Sequence, residues 1–211
     1  MFCHYGKVAT EVAKRFDFQL PSIVEDFKAA DLSMLAGENF RIGVIYGPSG
    51  SGKTQAIRRL GDLSEPLWES DKVVADYFTT ADDAVQFLFA AGLSSIPQML
   101  KPFRILSNGE QYRATLARRL SERDPNALLC IDEFTSVLDR TVAQALCTSL
   151  RRHLEENRKI VVATCHEDVI EWLRPCWSVN AADGRLSRHE AIAPPRWKLA
   201  LGPKIAEWTH G

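Results

Sequence analysis

The chain has 211 residues, of which 45% are hydrophobic and 25% charged, and its formal net charge is −1 at pH 7. These values are typical of a globular protein with one large domain, or with one domain and a small subdomain. The near-zero net charge gives no general electrostatic attraction to nucleic acid or to a membrane surface.

The cysteines and the apolar stretches favour a cytoplasmic location. The five cysteines are odd in number and widely spaced, and none forms a C-x-x-C pair, so they indicate neither a zinc site nor a disulfide framework. No apolar stretch approaches the ~20 residues needed to cross a bilayer. The first residues lack the charged and apolar regions of a signal peptide. We therefore expect a reducing compartment and no membrane insertion by the chain itself.

The first 40 residues carry the weakest patterns. Glu11 to Phe18 predicts a strand, because three apolar residues fall on or near one face. Pro21 and the segment Ser22 to Phe27 predict a turn and a short helix. The run Arg41 to Tyr46 is apolar and β-branched, which is typical of a buried strand.

The segment after this strand, residues 47–54 (GPSGSGKT), fits the phosphate-loop pattern G-x-x-x-x-G-K-[ST]. Its glycines let successive backbone N–H groups point at phosphate oxygens, and the helix that follows over Gln55 to Leu60 adds its positive end. Lys53 would reach the β- and γ-phosphates, and the Thr54 hydroxyl would hold Mg²⁺. The competing interpretation is a Gly/Ser surface loop before a helix. The strand–loop–helix context favours a nucleoside triphosphate site.

The next region is predicted to be mostly helical. Residues 61–71 are turn-rich, and Lys72 to Phe78 predicts a short strand. A helix is predicted from about Ala81 to Ala91, and a second from about Gly109 to Glu122. Residues 93–105 contain two prolines and predict a loop or a broken helix.

The second half alternates strands and helices. Ala127 to Phe134 and residues 159–164 predict buried parallel strands, because both are continuous apolar runs. Helices are predicted over 141–157 and over Glu167 to Leu173, and Asp183-Gly184 predicts a hairpin-type turn. Strands that alternate with helices indicate an α/β domain with a largely parallel sheet.

Two carboxylates, Asp132 and Glu133, close the strand over 127–134. Since the carboxyl ends of parallel strands share one edge of a sheet, we expect them to lie near the phosphate loop. Asp132 can hold Mg²⁺, and Glu133 can polarise a water as a general base. The alternative is that the two carboxylates only keep the end of a strand in contact with solvent. The presence of a phosphate loop in the same chain favours the functional interpretation.

Residues 106–110 (LSNGE) begin the helix predicted over 109–122. Ser107 and Glu110 fit a capping box, so the segment can be a good helix start and nothing more. A helix start with a serine hydroxyl and the Gly109 backbone N–H is also an anion site. If Glu110 folds back to cap the helix, its charge need not oppose a bound phosphate.

Taken together, these motifs resemble those of the ABC-class ATPases. GPSGSGKT at 47–54 matches Walker A, LSNGE at 106–110 matches the signature motif, and ALLCIDEF at 127–134 matches Walker B with its adjacent glutamate. Residues 136–139 (SVLD) match the D-loop, and residues 164–166 (TCH) match the switch-histidine loop. Five motifs occur in the family's order over roughly residues 40–170.

The resemblance implies a fold, an activity and a set of site residues. The fold would be a single P-loop NTPase domain of ABC type over 1–211, with a mainly parallel sheet flanked by helices and a reduced helical subdomain at about 79–122. The activity would be ATP hydrolysis with ATP and Mg²⁺ in a head-to-tail homodimer. Nucleotide-binding residues would be Gly47, Pro48, Ser49, Gly50, Ser51, Gly52, Lys53, Thr54, Gln55, Ser107, Asn108, Gly109 and Asp139. Metal ligands would be Thr54 and Asp132, and catalytic residues would be Glu133, His166 and Lys53. Ser107 and Gly109 would serve the partner chain's nucleotide, Asp139 would communicate across the interface, and His166 would contact the γ-phosphate.

The chain departs from the family's pattern at several points. Asn108 replaces the first signature glycine, and Glu110 replaces the usual glutamine. The segment 54–106 is much shorter than in transporter members, which is why the helical subdomain is expected to be reduced. The glutamine loop cannot be assigned: Asp76 lies nearest the expected place, and Gln86 falls inside a predicted helix. The aromatic residue that would stack on adenine is also unassigned, and Phe16 and Phe18 are the candidates.

The partner and the biological role follow only from analogy. Residues 107–120, 131–143 and 165–173 resemble a group of soluble bacterial and phage ABC ATPases associated with an acetyltransferase-like module. The tail at 194–211 would then be a connector. The leading hypothesis is a soluble ATPase that works on a macromolecular partner, with nucleic acid or a nucleoprotein as the first choice. The alternatives are the ATP-binding subunit of an ABC transporter and a nucleotide-gated scaffold with little turnover.

Overall fold

A computed structural model describes residues 5–20, 32–124, 126–154 and 158–189 of the chain. The strands are β1 (Ile42–Tyr46), β2 (Leu129–Ile131), β3 (Ile160–Thr164), β4 (Trp177–Asn180) and β5 (Leu186–Arg188). The α-helices are α1 (Lys7–Arg15), α2 (Ser33–Ala36), α3 (Lys53–Leu60), α4 (Ala81–Ala90), α5 (Ile96–Met99), α6 (Asn108–Glu122), α7 (Arg140–His153) and α8 (Asp168–Leu173). Two short 3₁₀ helices cover Val74–Tyr77 and Phe103–Ile105.

The strands form one sheet in the order β2-β3-β1-β4-β5. β1 pairs in parallel with β3 and with β4, and β2 pairs in parallel with β3. β5 runs antiparallel to β4, and the turn between them contains Asp183 and Gly184. The predicted α/β fold with a mainly parallel sheet is confirmed.

The sheet is buried on both faces because successive side chains along each strand point to opposite sides. In β3, Ile160 and Val162 lie in a core formed with the helices α4, α6, α7 and α8. Val161 and Ala163 lie in a second core, which α2 and α3 help to form. This double cover explains why the sequence of β3 is continuously apolar instead of alternating.

The helices α4, α6 and α7 pack together against the first core. α4 contacts both α6 and α7, and Thr80 caps α4 by accepting the backbone N–H of Asp83 at 3.1 Å. The segment between α3 and the first 3₁₀ helix lies against α6, where Arg118 donates to the carbonyl of Leu67 at 2.7 Å. Trp68 of this segment stacks on Phe103 of the second 3₁₀ helix with ring centroids 4.3 Å apart. In the same segment, the backbone N–H of Glu69 donates to the hydroxyl of Tyr77 at 2.6 Å.

Three predictions of secondary structure were wrong. Residues 11–18 are not a strand: α1 covers most of them, and Phe16 and Phe18 are exposed. Residues 72–78 are not a strand: Val74–Tyr77 form a 3₁₀ helix, and Val73 makes only an isolated bridge to Pro102. The strand predicted over 127–134 is restricted to β2, because the chain turns away from the sheet after Ile131.

The other predicted helices and strands are present with boundaries shifted by a few residues. The structure adds α5 within the predicted broken region, and it adds β4 and β5, which the sequence patterns did not predict. The short helix predicted over 22–27 and the tail at 194–211 lie outside the described residues.

Candidate functional site

The loop that follows β1 has the backbone of a phosphate cradle. Gly47, Gly50 and Gly52 have φ angles of +146°, +79° and +83°, in the region that L side chains avoid. A Cβ on Gly47 would lie 2.9 Å from the Oγ of Ser51, which is closer than real Cβ contacts. The glycines are therefore required by the turn itself, and α3 begins directly after Gly52.

The side chain of Lys53 lies in this loop. Lys53 is 6% exposed, and its Nζ donates to the carbonyl oxygens of Gly47 at 2.9 Å and of Pro48 at 2.7 Å. The Oγ of Ser51 is buried and has no hydrogen-bond partner among the described residues. A buried ammonium held only by neutral carbonyls, beside an unpaired hydroxyl, fits an incoming anion such as a phosphate group.

The order of the strands brings three motifs to one edge of the sheet. β3 lies between β1 and β2, and Tyr46 pairs with Thr164 at the end of the β1–β3 ladder. The phosphate loop follows β1, the acidic pair follows β2, and His166 follows β3. Since neighbouring strands are about 4.8 Å apart, β1 and β2 are about 10 Å apart, and the loop and the acidic pair follow them on either side of the histidine segment.

The acidic pair starts a tight turn. The backbone N–H of Glu133 donates to the Oδ1 of Asp132 at 2.9 Å, and Glu133 itself has φ +50°. Asp132 is half-buried and Glu133 is exposed. The next residue, Phe134, is fully buried, and its N–H donates to the carbonyl of Ala163 at 2.8 Å. The turn therefore stays attached to β3 after the chain has left the sheet.

The start of α6 is capped as the sequence predicts. The carboxylate of Glu110 accepts the backbone N–H of Ser107 at 2.8 Å, and its other oxygen accepts a hydrogen bond from the amide of Gln98. Both carboxylate oxygens are thus engaged within the chain, while Ser107 and Asn108 are exposed. The negative charge beside this helix start is partly compensated by these donors.

Gly109 connects the signature segment to the D-loop. A Cβ on Gly109 would lie 3.1 Å from the Cδ2 of Leu138, so a larger residue would push the two segments apart. Asp139, the next residue after Leu138, caps α7 by accepting the N–H of Val142 at 2.9 Å. The C-terminal end of the D-loop is therefore held by a helix cap and lies close to the signature helix.

A groove of about 360 Å³ separates α6 from the acidic end of β2. Asp132, Asn108 and Gln111 line it, together with Tyr112 and Arg119. Arg119 donates to the carbonyl of Cys130 at 2.7 Å, and burial lowers the pKa of its guanidinium. The groove places the signature helix beside the candidate metal ligand of the same chain.

Sequence reasoning missed three residues that support the site. Gln98 bonds to Glu110, Arg113 donates to the carbonyls of Gly109 at 3.1 Å and of Gly92 at 2.8 Å, and Tyr112 contacts the turn after the acidic pair. No spacing rule marks such residues, because their role depends on segments distant in the chain. Gln86, which the sequence placed inside a predicted helix, is exposed on α4.

This sheet and the motifs at its edge define an ABC-type P-loop ATPase, which is an ATP hydrolase. The chain belongs to the AAA domain family, whose model matches residues 38–176. In the described ranges, no helix is long and apolar enough to cross a membrane.

The comparisons with individual proteins agree on the fold. The chain is 32% identical over 131 residues to the endonuclease MutS2 of Alkaliphilus metalliredigens, a match that covers 62% of the chain but only 16% of MutS2. It is 26% identical over 187 residues to the cytochrome c biogenesis ATP-binding export protein CcmA of Nitrosospira multiformis, covering 66% of the chain and 87% of CcmA.

Among solved structures, the dimeric post-hydrolysis state of the ATP-binding cassette MJ0796 with ADP and phosphate superposes with a TM-score of 0.55 at 19% identity. This superposition covers 74% of the chain and 89% of MJ0796. A bacterial Atm1-family ABC exporter with ATP bound also matches, with a TM-score of 0.55, 18% identity and coverage of 72% and 34%.

Proposed function

We propose that the protein binds ATP with Mg²⁺, dimerises head to tail around it and hydrolyses it to do conformational work on a macromolecular partner. The observation that carries the proposal is the convergence of the phosphate loop, the acidic pair and the histidine segment at one edge of the sheet. The start of α6 adds an exposed anion-binding segment that a second chain can use.

The phosphate loop supplies the binding energy in this proposal. Residues 47–54 direct backbone N–H groups at the phosphates, and the ammonium of Lys53 exchanges its two carbonyl partners for β- and γ-phosphate oxygens. Gln55 follows in the first turn of α3. The exchange is favourable because an ammonium–phosphate pair is stronger than an ammonium–carbonyl pair in a partly dehydrated loop.

Thr54 and Asp132 would hold the metal ion. Two protein oxygens suit Mg²⁺, which normally completes its shell with phosphate oxygens and water. When bound, Mg²⁺ neutralises charge that develops on the phosphates. In the described part of the chain, no three His, Cys, Asp or Glu residues cluster into a metal site of their own, so the proposed site requires the nucleotide.

Glu133 and His166 would carry the chemistry. Glu133 lies one residue beyond the metal ligand and is exposed, so its carboxylate can accept a proton from a water attacking the γ-phosphate. His166 follows β3, which lies between β1 and β2, so its ring can contact the γ-phosphate and orient that water. The histidine segment is fixed by the N–H of His166, which donates to the Oγ1 of Thr164 at 3.1 Å.

The second chain would complete the site. Ser107, Asn108 and Gly109 would bind the γ-phosphate of the partner's nucleotide, and Asp139 would lie at the interface. The exposure of Ser107 and Asn108, together with the internal compensation of Glu110, supports this arrangement. The structurally similar cassette MJ0796 is itself a dimer.

The enzymatic part of the proposal is tested with Glu133→Gln. We expect Mg²⁺-dependent ATP hydrolysis to fall by at least about 100-fold, the usual contribution of a general base, while ATP binding persists. The matched control is Glu171→Gln, an exposed carboxylate on α8, which should hydrolyse ATP at the wild-type rate. Light scattering should show a Glu133→Gln dimer only with ATP. Hydrolysis at a rate per chain that does not depend on protein concentration would contradict the composite site.

The partner is the less constrained part of the proposal. We favour nucleic acid or a nucleoprotein in the cytoplasm, and the similarity to MutS2, an endonuclease, supports this choice. The four described cysteines are free, as a reducing compartment requires. An acetyltransferase-like protein stays a further prediction. Capture with the ATP-bound Glu133→Gln dimer as bait, followed by mass spectrometry and nuclease treatment, would identify the partner.

A transporter subunit is the second candidate function. Its support is the coverage of CcmA, and of the aliphatic sulfonates import ATP-binding protein SsuB 1 of Nocardia farcinica, which is 28% identical over 80% of its length. Co-purification with an integral membrane protein would favour this function. ATP-dependent dimerisation of the wild type without phosphate release would instead favour a nucleotide-gated scaffold.

A further inference from the structure

The hydroxyl of Tyr112 joins two parts of the candidate site. Tyr112 lies in the second turn of α6 and packs against the main core, and its hydroxyl accepts the backbone N–H of Thr135 at 3.3 Å. Desolvation raises the pKa of this phenol, so it is protonated at neutral pH. This hydrogen bond joins the signature helix α6 to the turn that begins at Glu133.

The turn that receives this hydrogen bond is strained. Glu133 and Thr135 have φ angles of +50° and +67°, and a positive φ is especially unfavourable for a β-branched residue such as Thr135. Such conformations persist only where the surrounding structure fixes them. The N–H of Phe134 donates to Ala163 in β3, and the N–H of Thr135 donates to Tyr112. These two bonds tie the turn to the rest of the fold from either side of it.

The backbone N–H of Thr135 belongs to a buried residue. Thr135 is fully buried, and its own Oγ1 has no hydrogen-bond partner among the described residues. Removing the phenolic oxygen would therefore leave a buried N–H unpaired, which favours a different backbone conformation. Because Glu133 precedes Thr135 by two residues, such a change would move the carboxylate of Glu133.

The same turns of α6 also hold the signature segment. Arg113, next to Tyr112, donates to the carbonyl of Gly109, and a Cβ on Gly109 would lie 3.1 Å from the Cδ2 of Leu138 in the D-loop. A displacement at the start of α6 would thus be passed to Tyr112 through less than two turns of helix. Helical segments of this length transmit motion as rigid units because their backbone hydrogen bonds are continuous.

We propose that Tyr112 is a positioning residue that holds the Glu133 turn of its own chain in the conformation for hydrolysis and ties it to the signature helix. This inference rests on the proposed function, in which the start of α6 binds the partner's nucleotide. Closure of the dimer would then set the position of Glu133, so that hydrolysis follows nucleotide-driven closure.

The test compares Tyr112→Phe with the wild type. The substitution keeps the ring in the core and deletes only the oxygen that receives the Thr135 N–H. We expect kcat for ATP to fall about tenfold, which corresponds to ~1.4 kcal/mol and lies within the range for a buried group that loses its partner. KM for ATP should change less than about twofold, because the residues of the phosphate loop are untouched.

Tyr77→Phe is the matched control. Its hydroxyl also accepts a backbone N–H, from Glu69 at 2.6 Å, but in the segment that covers α6, away from the Glu133 turn. We expect this variant to keep the wild-type kcat. In a Glu133→Gln background, Tyr112→Phe should change the ATP concentration needed for dimerisation by less than about twofold relative to Glu133→Gln alone, because the substitution acts on the turn that carries Glu133.

A second variant tests whether Tyr112 acts through the turn. Glycine adopts a positive φ without strain, so Thr135→Gly should reduce the dependence of the turn on the phenol. In that background, Tyr112→Phe should lower kcat by less than about threefold. A tenfold loss in both backgrounds, or a wild-type kcat for Tyr112→Phe, would overturn the inference. Absence of any Mg²⁺-dependent hydrolysis by the wild type would instead refute the proposed function.

Discussion

Replacement of Gly43 by alanine would test the packing of the strand that leads into the phosphate loop. Gly43 lies in β1 and pairs in parallel register with Trp177 of β4. A Cβ at this position would lie 2.2 Å from the Cζ2 of Trp177 and 2.5 Å from two further ring atoms. Trp177 is 1% exposed and is in edge-to-face contact with Phe40, with ring centroids 5.3 Å apart.

The expected cost follows from this geometry. Non-bonded carbon atoms are normally about 3.5–4.0 Å apart, so the indole would have to move by more than 1 Å within a packed core. Overpacking of this kind costs about 1–3 kcal/mol, and disturbance of the Phe40–Trp177 pair adds about 0.5–1.5 kcal/mol. We expect the free energy of unfolding to fall by about 2–4 kcal/mol, and the Tm by about 5–15 °C for a domain of this size.

Urea and thermal unfolding, followed by tryptophan fluorescence and circular dichroism, would measure the effect. Gly37→Ala is the control, because Gly37 has φ −78° and a Cβ there would lie 3.8 Å from its nearest neighbour. Its stability should stay within about 0.5 kcal/mol of the wild type. Mg-ATP should stabilise both variants equally, since neither substitution touches residues 47–54. A Gly43→Ala protein as stable as the wild type would refute the packing argument.

Two further outcomes are expected from the phosphate loop and the cysteines. Gly50→Ala should weaken ATP binding about fivefold to thirtyfold in calorimetry, because Gly50 has φ +79° in open space and an alanine there would let the free loop relax from the left-handed backbone, which ATP binding must restore at about 1–2 kcal/mol; an unchanged affinity would show that the free loop keeps its conformation with alanine. In alkylation at pH 8 followed by mass spectrometry, the exposed Cys165 should react in the folded protein. Burial raises the pKa of Cys130 to about 11 and of Cys147 to about 12, so both should react only after unfolding; equal labelling of Cys147 and Cys165 in the folded state would contradict the buried core.

The sequence predicted the elements whose signals are local. The strand and helix around residues 47–54 were predicted correctly, because glycine spacing and a β-branched run specify a strand–loop–helix unit without reference to distant residues. The cap of Glu110 on Ser107 was predicted for the same reason. Residues 11–18 were predicted wrongly, because three exposed apolar side chains, Val12 on α1 and Phe16 and Phe18 just after it, imitate the pattern of a strand face.

The local pattern did not predict the two short strands at the C-terminal end of the sheet. β4 and β5 have only four and three residues, and they are strands because β1 offers β4 a parallel ladder. Residues 72–78 show the opposite case: their composition favours a strand, but they have no neighbouring strand and form a 3₁₀ helix under α4. Strand formation depends on a partner, and the choice of partner is a property of the whole fold.

The sequence by itself determined the residue types at the site: glycines where the backbone must curl, a lysine and a threonine for phosphate and metal, carboxylates at a strand end and a histidine after another. These requirements are chemical and local, so they leave a readable pattern. Only the tertiary structure decided that β3 lies between β1 and β2, and that the hydroxyl of Tyr112 meets the N–H of Thr135. Both depend on strand order and helix packing, which are set by contacts between residues distant in the chain.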